Sequence, residues 1–163
     1  MELQKAKQIA ERIMAELSPH CERIAIAGSI RRNKPEVKDI EIVAIPKHYD
    51  VGLFETGIAA VVNRWQKVKG ELPCRYTQRI LPDGIKLDLF FAEYSNWGLI
   101  FAVRTGSAEY SHKVLATAWV KAGYNSKDGH LYDKAGHRYS IREEKDLYSR
   151  IGLPYVSPEM RNL

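Results

Sequence analysis

Apolar residues at Leu3, Ala6, Ile9, Ala10, Ile13, Met14 and Leu17 return every three or four positions, which predicts an amphipathic helix ending before Pro19. The pattern then shortens. Arg23 to Ala27 reads as a short buried strand stopped by Gly28-Ser29, and Val37 to Ile45 as a second strand closed by Pro46. A helix is predicted over Leu53 to Trp65. Strands over about Arg75–Leu81 and Ile85–Ala92 flank Pro82-Asp83-Gly84, a hairpin turn. After about Glu93 the texture changes. Asn96 to Arg104 is a short, mostly apolar helix ended by Thr105-Gly106-Ser107. Ser107 then caps a helix that sets Tyr110, Val114, Ala118 and Ala122 on one face and stops at Gly123. Short strands follow from Asn125 to Tyr139. Ser140-Ile-Arg-Glu143 reads as a capping box opening a last helix to about Ile151, and the proline-bearing tail is extended. The fold class is α+β, split near residue 93: residues 1–93 form a helix-covered mixed or antiparallel sheet, and residues 94–163 a smaller α/β unit.

Composition narrows the function classes. The 163 residues carry 25 Lys+Arg against 20 Asp+Glu, a net charge of +5, with 45% hydrophobic residues, so the chain has the makings of a packed core. The basic tilt weakly favours a polyanionic partner. The longest nearly unbroken apolar run, Trp97 to Val103, is far below the roughly 20 residues of a membrane span. The N-terminus lacks an apolar export segment, and Cys21 and Cys74 read as free buried thiols. The expectation is an intracellular protein, neither secreted nor membrane-bound.

The chemistry concentrates in two strands. Residues two apart on a strand share a face, so Asp39 and Glu41 point the same way while Ile40 and Ile42 cover the other. Carboxylates held that close repel unless a cation lies between them, and Mg²⁺ takes one or two carboxylates together with water and phosphate oxygens. In Lys86-Leu-Asp-Leu-Phe90, Leu87 and Leu89 face the core and leave Lys86 and Asp88 on the opposite side. Were the two strands neighbours, three carboxylates would converge, enough for two metal ions about 4 Å apart. A strand ending in Gly28-Ser29, with Arg31 and Arg32 behind it, offers backbone N–H groups, a hydroxyl and a guanidinium to a triphosphate.

Gly28-Ser-x-Arg-Arg32 followed by the Asp-x-acid pair resembles the nucleotidyltransferase signature of family X DNA polymerases, the DNA polymerase beta group. Lys86-Leu-Asp88 is similar to that family's strand with the third carboxylate. Trp97-Gly98 and Thr105-Gly106-Ser107 resemble its hinge into the thumb. Asp146-Leu-Tyr148, Gly152-Leu-Pro-Tyr155 and Pro158-Glu-Met-Arg161 resemble the closing segment of that thumb. The resemblance implies a nucleotidyltransferase palm over 1–93 and a nucleotide-selecting thumb over 94–163. It implies that Asp39, Glu41 and Asp88 hold two Mg²⁺ ions, with Mn²⁺ able to substitute. Asp88 would also help deprotonate a primer 3′-hydroxyl. Gly28, Ser29, Arg32, Arg104, Thr105, Gly106, Ser107 and Ser111 would bind nucleotide, and Arg75, Arg79, Lys86, Lys113, Lys121 and Lys127 would bind DNA. The implied partners are gapped or primer-template DNA and nucleoside triphosphates, met by a monomer engaged in short-gap repair or replication-associated synthesis.

The chain departs from the family pattern at four places. Glu41 stands where Asp is usual and Lys86 where Arg is usual. Val103 and Arg104 replace two aromatics near the sugar, and Ser111 replaces a base-reading Asn. By the resemblance, the expectation is a chain that starts with the palm and has neither the lyase nor the fingers domain of the family. Two other readings compete: a nucleotidyltransferase acting on a small molecule or protein, and a non-catalytic DNA-binding module.

Overall fold

The first apolar stripe folds as α1 (Leu3–Leu17), with Ala6, Ile9, Ala10, Ile13 and Leu17 buried. In the computed structural model, which describes residues 1–47 and 57–163, the chain divides into two units, Met1–Ala92 and Glu93–Leu163. The fold class is α+β. Among the described residues no helix is long and apolar enough to cross a membrane.

The first unit is a mixed five-stranded sheet. Its strands are β1 (Cys21–Ile26), β2 (Asp39–Pro46), β3 (Gln66–Lys69), β4 (Tyr76–Ile80) and β5 (Lys86–Phe91), in the order β1-β2-β5-β4-β3. β2 and β5 run parallel, and the other three pairings are antiparallel. Strand alternation sends Ile40, Ile42 and Ala44 of β2, with Leu87, Leu89 and Phe91 of β5, into one core with α1 and α3 (Gly57–Val62). Each buried Ile or Leu there contributes roughly 1.5–3 kcal/mol. The opposite sheet face keeps the acids. Between β1 and β2 a four-residue helix, α2 (Gly28–Arg31), begins at Gly28, whose φ of +61° lies in the left-handed region.

The predicted elements differ from these in places. Of the helix expected over Leu53–Trp65, residues 53–56 lie outside the described residues, and α3 ends at Val62. The chain then turns into β3, an edge strand without an apolar face: all four of its residues are exposed, and its two lysines suit a sheet edge. Cys21 is buried as expected, and burial pushes its thiol up to about 11; Cys74 is only half-buried.

The second unit packs α4 (Trp97–Thr105) and α7 (Glu144–Arg150) with a three-stranded antiparallel sheet. That sheet is β6 (Asn125–Lys127), β7 (His130–Tyr132) and β8 (Arg138–Tyr139). Its core is Leu99, Ala102, Tyr110, Leu115, Leu131, Ile141, Leu147, Tyr148 and Ile151. Ser107 caps its helix as predicted, its hydroxyl oxygen accepting from the Tyr110 N–H at 3.1 Å. That helical stretch is not uniform: α5 (Ala108–Tyr110) passes through a π-helical segment, Ser111–Ala116, into α6 (Thr117–Lys121). The capping box of the last helix lies three residues later than expected. Glu143 is the N-cap, and Asp146 accepts from its N–H at 2.9 Å. The helix cannot open at Ile141, because the Ile141 N–H donates to Ser95 O at 2.8 Å and holds that segment extended.

Candidate active site

Pairing of β2 with β5 decides the geometry of the acids. Glu41 stands opposite Asp88 and Asp39 opposite Lys86. Asp39 and Glu41 are half-buried, and Asp88 is 7% exposed. Burial, reinforced by the negative charge of Asp88, holds the Asp39 carboxyl above its ordinary value, with Lys86 and Lys38 opposing. The third acid goes elsewhere. A Cβ on residue 28 would stand 1.7 Å from Glu41 Oε2, so the Glu41 side chain fills the space that Gly28 leaves. Its charge bears on Arg32, whose guanidinium burial pulls below its ordinary value while Glu41 opposes the shift. Ser29, Arg32, Asp39 and Glu41 line one open cleft with Lys34, Glu36 and Lys38.

This corrects the expectation of three converging carboxylates. The strands are neighbours and the three Cα positions adjoin, yet the Glu41 side chain turns to Gly28. Among the described residues no group of three or more Asp, Glu, His or Cys side chains is gathered to hold a metal ion. Asp39 and Asp88 remain a repelling pair of hard oxygen donors. They fit a magnesium ion that takes its other ligands from water and substrate phosphates.

Asp88 is held from β4 by residues that the motif reading missed. The Tyr76 hydroxyl donates to Asp88 Oδ1 at 2.6 Å, and Gln78 Nε2 donates to the same oxygen at 2.8 Å. Another residue of β4 is corrected. Arg79, expected to meet DNA phosphates, is 3% exposed. Its Nε donates to Thr77 Oγ1 at 2.9 Å and its Nη1 to Trp65 O at 3.3 Å, so the guanidinium organises the β3–β4 connection. Arg75 and Lys86 are exposed as expected.

In the second unit Arg104 lies exposed in the last turn of α4. Thr105 is fully buried, which removes its side chain from contact with any ligand, and Gly106 is buried against Tyr110 and Ser111. The Ser111 hydroxyl donates to Val103 O at 2.7 Å, so its proton is used within the fold. The Ser107 N–H donates to Arg161 O at 3.0 Å. Arg161 is itself fully buried, paired with Glu144, and lies 5.4 Å and 5.2 Å from the ring centroids of Tyr148 and Tyr155. Lys113, Lys121 and Lys127 are exposed, with Lys113 3.6 Å from Glu109.

Residues 101–162 match the family model of the DNA polymerase beta thumb. The second unit is therefore similar over most of its length to a DNA polymerase beta thumb. The match supports the family X resemblance and suggests a DNA-binding, polymerase-related function. No curated protein matches the chain. Within the thumb, Arg161 and Glu144 form a buried clamp that reaches the Thr-Gly-Ser turn through one backbone hydrogen bond. Only Arg161 stood in a quoted motif, and nothing in the sequence marked Glu144 as its partner.

Proposed function

We propose that the chain is a family X-type DNA polymerase that transfers a nucleoside monophosphate from a nucleoside triphosphate to a primer 3′-hydroxyl, with pyrophosphate leaving. The observation that carries this reading is the pairing of β2 with β5, which seats Asp88 opposite Glu41 and within electrostatic reach of Asp39, in a chain that also has the thumb. Asp39 and Asp88 hold Mg²⁺, with Mn²⁺ able to replace it, and Glu41 is the third acid of the set that the family resemblance implies for two ions. Bound metal supplies charge neutralisation of the triphosphate and a lower pKa for the primer hydroxyl. Asp88 accepts the proton of that hydroxyl. Arg32 and Ser29 line the open cleft beside Asp39 and Glu41 and hold the β- and γ-phosphates there, with the Gly28 turn beside them. Charge-assisted hydrogen bonds from a guanidinium suit such oxygens. Catalysis is then positioning and electrostatics, as general phosphoryl-transfer chemistry requires.

Arg75, Lys86, Lys113, Lys121 and Lys127 meet DNA phosphates, and Arg104 and Ser107 contribute to nucleotide or DNA binding from the thumb. The substrate is gapped or primer-template DNA, met by an intracellular monomer. Incubation with gapped DNA, each labelled nucleotide and Mg²⁺ or Mn²⁺ tests the reading. Wild type extends the primer, and Asp39→Ala and Asp88→Ala do not while remaining folded by circular dichroism. Near-normal extension by either variant refutes the assignment of the acids, and transfer to a non-nucleic acceptor alone refutes the polymerase reading.

A further inference from the structure

β4 brings two donors to one oxygen of Asp88. Gln78 is the Cα partner of Asp88 across the antiparallel β4–β5 pairing, and Tyr76 is that of Phe90. The Tyr76 ring is stacked on Phe90, with centroids 4.8 Å apart at 18°, and Lys69 Nζ lies 5.5 Å from its centroid. The ring is thereby held flat against β5 with its hydroxyl at Asp88 Oδ1, while Gln78 reaches the same oxygen. A carboxylate oxygen has two lone-pair sites, and both on Oδ1 are used. Oδ2 accepts no hydrogen bond from the described residues. Two donors on one oxygen fix the rotation of the carboxyl group about its Cβ–Cγ bond.

We propose that Tyr76 and Gln78 are positioning residues. They saturate Oδ1 and present Oδ2 as the one oxygen through which Asp88 meets a divalent cation and the primer hydroxyl. The inference rests on the nucleotidyl-transfer reading above. If the two hydrogen bonds only satisfied a buried acid, their removal would cost stability and leave metal binding and turnover as they were. If they position, both of those move.

Mn²⁺ binding to the DNA-free protein, read from the electron paramagnetic resonance of the free ion, separates these without turnover. Tyr76→Phe keeps the stacked ring and removes only the hydroxyl; Gln78→Leu keeps the volume and removes the donor. Loss of such outer partners typically costs about 10–100-fold in metal affinity or activity. Both variants are expected to bind Mn²⁺ at least about tenfold more weakly and to lower kcat by about 10–100-fold. The KM for nucleotide should stay within about twofold, since neither side chain holds phosphate in the proposed assignment. The control Tyr94→Phe, which alters an exposed tyrosine of the thumb, matches wild type. Wild-type Mn²⁺ affinity and kcat in both variants, with Asp88→Ala losing both properties, overturn the positioning role and leave the nucleotidyl-transfer reading standing. Wild-type behaviour in Asp88→Ala itself overturns both.

Discussion

Replacing Gly98 with alanine reverses the usual sign of a glycine-to-alanine change in a helix. Gly98 is the second residue of α4. In a helix interior alanine is favoured over glycine by about 1 kcal/mol, so propensity alone predicts a more stable protein. Space predicts the opposite. A Cβ on Gly98 would stand 2.2 Å from Glu143 O, 2.3 Å from its carbonyl carbon and 2.8 Å from its Cα. These are backbone atoms, and no rotamer change relieves the clash. Nor is Glu143 loose. The Gly98 N–H donates to Ile141 O at 2.9 Å, the Ile141 N–H donates to Ser95 O at 2.8 Å, and Glu143 caps α7. Overpacking of this kind costs about 1–3 kcal/mol, and a disturbed helix cap about 1 kcal/mol more. Against the intrinsic gain, the net expectation is a loss of about 2 kcal/mol. Urea unfolding followed by tryptophan fluorescence measures it, and with an m-value of about 2 kcal/mol/M the midpoint falls by about 1 M. A midpoint equal to or above that of wild type, at unchanged m, would refute the claim that the α4–Glu143 contact is fixed.

Asp39→Asn is expected to stabilise the metal-free protein at pH 7. The raised carboxyl of Asp39 keeps its proton in the folded state at pH values where the unfolded chain has released it. Its penalty therefore grows as pH rises through and above 3.8, the ordinary value. The advantage of the Asn variant shrinks as pH is lowered and is absent well below pH 3.8; a pH-independent difference in urea midpoints contradicts this. Glu144→Gln leaves the fully buried Arg161 guanidinium without its counter-charge and is expected to cost about 3–5 kcal/mol. Denaturant titration of this variant checks the value, and a loss below about 1 kcal/mol would mean that the pair is replaceable by neutral hydrogen bonds.

Periodicity carried most of the fold because most elements have two unlike faces. α1 was legible for this reason, its apolar stripe supplying the buried positions, and in β5 Leu87, Leu89 and Phe91 follow the strand repeat into the core, although Asp88 and Phe90 on the other face are buried as well. β3 was not, since an edge strand exposed at every residue has no alternation to read. The π segment left one trace. Tyr110, Val114, Ala118 and Ala122 recur at intervals of four throughout, and a 3.6-residue helix drifts off one face at that spacing, whereas wider turns absorb the drift. The hairpin at Pro82-Asp83-Gly84 held more than the motif reading took from it. A turn centred on Asp83 pairs residues equidistant from it, which puts Gln78 opposite Asp88. The same alternation groups Thr77 with Arg79 on one face and Tyr76, Gln78 and Ile80 on the other, and the more polar pair is the one buried, so alternation points to the wrong face. Charge without burial therefore misplaced Arg79 at a DNA surface.

The acids show where backbone reasoning stops. Alternation locates Cα atoms and faces, and to that extent it brought Asp39, Glu41 and Asp88 together correctly. It does not locate the end of a side chain. Glutamate has one methylene more than aspartate, and at position 41 this reach lets the carboxylate lie against residue 28 beside Arg32. Gly28 makes that possible twice over: its φ of +61° turns the chain from β1 into α2, and its missing Cβ leaves the volume that Glu41 Oε2 fills. Aspartate at 41, too short to reach as far, would leave its charge nearer to Asp39 and Asp88. The departure at Glu41 and the glycine thirteen positions before it therefore form one structural unit, which neither residue reveals when read by itself.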